Sequence, residues 1–145
     1  MTDFVQILQD HCTTLGWVFS YGNTANRNLF VSNTVVDEVY LFLDPVVRSN
    51  PGTENGGIGE VVFSGSFFIC VKANLDQQYH NQKARAAATG KYESNILPLL
   101  TAIAGLESNI DCSDMERTTW TVTDAVNVLD ANMDGVVVDY SVKTL

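Results

Sequence analysis

The chain has 145 residues, 46% of them hydrophobic and 17% charged, with a net charge of −9 at neutral pH. This length suits one domain with its own core, and the balance excludes intrinsic disorder, which couples few apolar side chains to high charge. An acidic surface neutralises no phosphates and no apolar run reaches the roughly 20 residues of a membrane span, so neither a membrane nor a sequence-specific nucleic-acid partner is expected.

Residues 3–15 predict a helix. Phe4, Ile7, Leu8, Cys12 and Leu15 recur at helical spacing, Thr2 or Asp3 caps the start and Gly16 ends it. Trp17–Tyr21 reads as a strand. Residues 22–28 are turn material and Leu29–Val31 a returning strand, together a hairpin. Residues 35–43 predict a third strand, apolar on both faces and therefore covered on both sides. Asp44-Pro45 interrupts it, because proline donates no hydrogen bond.

Residues 48–59, dense in Gly, Asn and Pro, predict a flexible loop at the tip of a long hairpin. Residues 60–72 form its second arm. Val61, Phe63, Gly65, Phe67, Ile69 and Val71 lie in one row, with Glu60, Ser64, Ser66 and Lys72 in the other, as in a half-buried strand. A helical region follows, with Asn74 or Asp76 as its cap and a break near Gly90. Its second piece, 91–106, carries Tyr92, Ile96, Leu99, Leu100, Ile103 and Leu106 on one face, with Pro98 at a kink or in the first turn of a restarted helix. The chain closes on a hairpin. Trp120, Val122, Val126 and Val128 share one parity, Asp124 interrupts that row at a bulge or pairing end, and Val136, Val138, Tyr140 and Val142 alternate in the last strand. Residues 1–145 therefore read as a single α+β domain. Its sheet is mostly antiparallel, with about five to six strands, and the N-terminal helix and a second, broken helix pack on it.

Local chemistry is sparse. Asp130-Ala131-Asn132-Met133-Asp134-Gly135 fits the start of an EF-hand loop, but Ser141 stands where the bidentate glutamate belongs and strands flank it. Asp130, Asn132 and Asp134 are therefore read as turn residues, with no metal assigned. Gly56-Gly57-Ile58-Gly59 leads into a strand, where a phosphate cradle needs a helix N-terminus. His11 and His80 lie in no ligand or catalytic spacing. Cys12, Cys70 and Cys112 form no C-x-x-C pair and read as reduced thiols. Met1-Thr2-Asp3 lacks the basic start of a signal peptide. No catalytic residue and no cofactor is expected.

Charge is segregated along the chain. Residues 72–91 hold Lys72, Lys83, Arg85 and Lys91 against Asp76. Residues 101–139 hold Glu107, Asp111, Asp114, Glu116, Asp124, Asp130, Asp134 and Asp139 against Arg117. Two solvated faces explain this, and so does a head-to-tail contact between copies, which builds rings. The interface candidates are Arg48, Asn50 and Glu54 at the hairpin tip, Lys83, Arg85 and Lys91 on the basic segment, and Asp111, Asp114 and Glu116 on the acidic one.

The element order, with Val39–Val46 (VYLFLDPV) and Trp120–Val138 (WTVTDAVNVLDANMDGVVV), resembles the tail-terminator or tail-completion proteins of tailed bacteriophages, a group of minor tail and neck-ring proteins. The resemblance implies a non-enzymatic virion protein, assembled in the host cytoplasm. Its homo-oligomeric ring, commonly a hexamer, would stop tail-tube growth and dock the head connector. The alternative is a small acidic monomer, like an immunity protein or inhibitor, that binds one basic partner by electrostatic steering. An enzyme would need a pocket of convergent titratable groups, and no such constellation is legible.

Overall fold

A computed structural model describes residues 3–22, 38–50, 61–72, 95–128 and 133–144. Helix α1 runs Phe4–Leu15. The Asp3 carboxylate accepts from the Val5 backbone N–H at 3.0 Å, occupying a donor that has no partner within the helix. At the other end Gly16 takes φ 74°, the left-handed conformation that glycine adopts without a Cβ penalty. The buried face is Phe4, Leu8, His11 and Cys12. Ile7 is half-buried and Leu15 is 46% exposed, so the apolar stripe is rotated slightly from the one expected.

The described residues then form a six-stranded sheet: β1 (Val18–Tyr21), β2 (Val39–Leu43), β3 (Val47–Ser49), β4 (Val62–Lys72), β5 (Met115–Val128) and β6 (Met133–Thr144). Its order is β1-β2-β4-β6-β5, with β3 also on β4. All pairs among the described residues are antiparallel except β1 with β2. The described partner of β1 is thus a parallel strand, not a hairpin mate; the expected return strand at 29–31 lies outside the described residues.

Strands β2 and β3 are two pieces of one arm, both paired with β4. They part at Asp44-Pro45-Val46, as the proline requires. Asp44 bridges the gap: its N–H donates to the Ser66 carbonyl at 3.1 Å and its carboxylate accepts from Ser66 Oγ at 3.0 Å. Because β3 reaches Ser49, Arg48 and Ser49 are strand residues, not the start of the loop expected over 48–59. Residues 51–59 are outside the described ones.

Helix α2 runs Leu97–Asp111, with Pro98 in its first turn, where a missing N–H costs nothing. It extends past the expected end at residue 106. The proposed helix from Asn74 is outside the described residues. Ile96 and the helix positions Leu99, Ile103, Leu106 and Ile110 are buried. They join Phe4, Leu8 and Cys12 of α1 over Leu41, Leu43, Phe63, Phe67, Ile69, Met115, Val136, Val138, Tyr140 and Val142. Both helices therefore lie on one face of the sheet.

The opposite face holds a second buried cluster of Tyr40, Phe42, Phe68, Cys70 and Met133. The covering of β2 on both faces is as expected. For β4 the expectation needs correction, because the row that begins with Ser64 and Ser66 continues as buried Phe68 and Cys70. The pairing of β5 and β6 also differs in detail. It runs through Asp124, opposite Val136, and shifts register between Arg117 and Thr119 and between Ala125 and Val128.

Asp134 and Gly135, expected in a turn, belong to β6. The Asp134 carboxylate is fully buried and accepts from Asn95 Nδ2 at 2.8 Å, tying the approach to α2 onto the sheet. Asp130 and Asn132 are outside the described residues.

Candidate interaction surface

Register places Arg48, Phe63, Val142 and Arg117 side by side across β3, β4, β6 and β5. The next row is Ser49, Val62, Lys143 and Glu116. Of the predicted interface residues, Arg48, Asn50, Asp111, Asp114 and Glu116 are described, and all five gather at this end of the sheet. Arg48 and Asn50 stand on one margin; Asp111, Asp114 and Glu116 stand on the other. Three strand spacings separate the margins, about 14 Å. Glu54, Lys83, Arg85 and Lys91 lie outside the described residues.

The basic margin is one arginine on a strand that is the outermost there among the described residues. Arg48 lies 5.6 Å over the Phe63 ring and 3.6 Å from Asp3, with both side chains of the ion pair nearly half exposed. An exposed pair of that length contributes at most about 1 kcal/mol, so Arg48 can exchange Asp3 for another carboxylate at little cost.

The acidic margin is more ordered. Asp111 ends α2, where the helix dipole is negative and disfavours a carboxylate. Arg117, reaching up from β5, supplies the missing cation. Its Nε and Nη2 donate to Asp111 at 2.9 and 2.8 Å, and Nη1 lies 3.8 Å from Glu107. The fork geometry of these bonds is the strong form of carboxylate recognition, and it holds the Asp111 carboxyl below its ordinary range. The guanidinium also lies 5.3 Å over Trp120, whose indole N–H donates to Glu107 at 2.9 Å.

Glu116 pairs with Lys143 at 3.3 Å. The acidic segment is therefore less bare than its sequence: Asp134 is buried, and Glu107, Asp111 and Glu116 have cationic partners. Among the described residues, Asp114, Asp124 and Asp139 are exposed without an ion pair.

Sequence reasoning did not single out Arg117, Lys143 or Asp3 as organisers of this end. Their partners become neighbours only through strand register. It also did not single out the outer margin of β5, where Thr118, Thr119, Thr121, Thr123 and Asp124 are all exposed. The visible signal was the Thr-Thr-Trp-Thr-Val-Thr alternation.

The described titratable groups elsewhere are structural in character. His11 is buried, with Asn109 Nδ2 donating to its Nδ1 at 2.8 Å and the Trp17 ring edge-on at 5.8 Å. Burial lowers its pKa. Cys12 is buried and its thiol is pushed up to about 12, which suppresses the thiolate a nucleophile needs. Among the described residues no group of three or more His, Cys, Asp or Glu side chains could hold a metal, and no helix is long and apolar enough to cross a membrane.

The fold class is thus an antiparallel-dominated α+β sheet with both described helices on one face. No family model, curated protein or solved structure matches the chain.

Proposed function

We propose that this chain is a non-enzymatic structural protein of a phage virion. It forms a homo-oligomeric ring, a hexamer, at the tail end or head–tail junction, where it stops the tail tube and docks the connector. The observation that carries the reading is the placement of Arg48 and Asn50 on one margin of the sheet and of Asp111, Asp114 and Glu116 on the other, at the same end. A head-to-tail contact joins two different patches of identical subunits, and such contacts close into a ring when the rotation from one subunit to the next closes. One copy's Arg48 margin meets the next copy's acidic margin, with the weak Arg48–Asp3 pair yielding to the new one.

The test is absolute mass by light scattering after size exclusion, over a concentration series at low and high salt. A closed oligomer that weakens with salt is expected. Arg48→Glu and Asp114→Arg should each weaken it about tenfold, and the double charge swap should recover most of the loss. A chain that stays monomeric at every concentration and does not bind isolated tail tubes overturns the proposal. If that monomer instead captures one basic protein in a salt-sensitive way, it is the acidic binding module.

A further inference from the structure

The margin of β5 also carries a self-complementary pattern, and it does not depend on reading the chain as a tail protein. Strand β5 is last in the sheet order among the described residues, so one side of its backbone has no described strand beside it. Free edges of this kind are templates for pairing with another chain, and proteins commonly blunt them with lysine, proline or bulges. Between its two register shifts β5 has none of these, and its one charged side chain there is Asp124. The stretch Thr119–Ala125 is regular, lacks Lys and Pro, and exposes Thr119, Thr121, Thr123 and Asp124.

We infer that β5 pairs antiparallel with β5 of a second copy, about a two-fold axis at Thr121. Antiparallel partners must point to the same face, which leaves registers centred on a residue from 120 to 124 within the regular stretch. Centring on Thr121 sets Thr121 opposite its own mate and Thr119 opposite Thr123, hydroxyl against hydroxyl on the face away from the helices. On the helix face it sets Trp120 opposite Val122, an aromatic against a β-branched side chain.

With Thr118 bulged out of the ladder, as it already is against β6, Arg117 of each copy falls opposite Asp124 of the other. These are the pair types that stabilise adjacent strands, and their reciprocity is what a two-fold interface requires. A register centred on 120 sets Arg117 against Val122; those centred on 122, 123 and 124 set Asp124 against Trp120, Val122 and its own mate; none of these pairs the charges.

Arg117 can accept the new partner. Asp111 engages its Nε and Nη2, Glu107 lies 3.8 Å from Nη1 without a hydrogen bond, the side chain is 25% exposed, and a guanidinium has five donors. Asp124 is the carboxylate that interrupts an apolar row of its strand, and the second copy gives that exposed charge a counter-ion.

Cysteine cross-linking reads the register directly. In a Cys112→Ser background, Thr121→Cys should self-link to a dimer on mild oxidation. Directly opposite Cα atoms lie about 4.5–5.5 Å apart, within disulfide range. Thr119→Cys alone and Thr123→Cys alone should not link, because each sits about 13 Å from its own mate, whereas a mixture of the two should. Asp124→Lys, on an exposed position, should weaken dimerisation at least tenfold, and circular dichroism checks that each variant is folded. Failure of folded Thr121→Cys to link faster than the Thr119 and Thr123 variants overturns the inference. A ring without the Thr121 link overturns this contact and leaves the ring reading standing. A Thr121-linked pair that grows no further supports this contact and overturns the ring.

Discussion

The Tyr140 hydroxyl is buried with no hydrogen-bond partner among the described residues, 3.2 Å from where a Cβ on Gly65 would stand. Its ring packs on Phe4 at 4.6 Å and Phe67 at 5.8 Å, so the apolar body is useful and the polar tip is a cost. Burial raises its pKa far above the ordinary tyrosine value. Tyr140→Phe keeps the ring contacts and removes the unpaired group, so it should stabilise the fold by about 1 kcal/mol in urea denaturation. Gly135 is constrained in the opposite sense. A Cβ there would stand 1.9 Å from the Ile69 carbonyl oxygen and 2.7 Å from Cys70 Cα, both backbone atoms of β4. Gly135→Ala should cost about 3 kcal/mol or more, read as a lower urea midpoint, because a backbone cannot step aside as a side chain can. In the sequence this glycine follows Asp134 and reads as turn chemistry. Only pairing with Cys70 on β4 reveals that it is there for close approach.

Elements are joined by polar contacts as well as by the shared core. His11 of α1 and Asn109 of α2 meet at 2.8 Å; with Nδ1 accepting, the ring proton sits on Nε2, which is buried and has no hydrogen-bond partner among the described residues. Protonation would add charge where burial already penalises it, which is why the folded-state pKa lies below 6.5. The unfolded chain then binds more protons than the folded one in this window. Stability is therefore full above about pH 6.5 and declines as pH falls below it towards the folded-state value. Urea midpoints should drop between pH 7 and pH 5.5, and His11→Gln should flatten the part of that drop carried by this ring. Helix α1 was readable from its stripe and both caps, since these are local signals. The α1–α2 contact was not, because 98 residues separate its partners.

At the scale of the molecule the two proposed contacts use different geometry. The ring contact is heterologous, joining the Arg48 margin to the acidic margin. The β5 contact is isologous and joins copies in pairs. Mass alone does not separate them, but Arg48→Glu acts on the first and Asp124→Lys on the second. Because Arg117 touches both the acidic margin and the β5 row, Arg117→Ala should weaken both contacts. It should also lower the urea midpoint, since Asp111 would then end α2 without its cation.

Sequence alone determines the apolar rows of β2, β4 and β6, the capped first helix, the break at Asp44-Pro45 and the α+β class. These follow from side-chain periodicity and from backbone rules that act over a few residues. Tertiary structure decided that β1 pairs in parallel, that β3 includes Arg48, that Phe68 and Cys70 enter a second cluster, and that Asp134 is a buried strand residue. It also decided which of the many carboxylates meet a cation. The physical reason is that strand order and register are set by the summed packing of distant segments. A one-residue change of register alters every cross-strand neighbour while leaving the local pattern untouched.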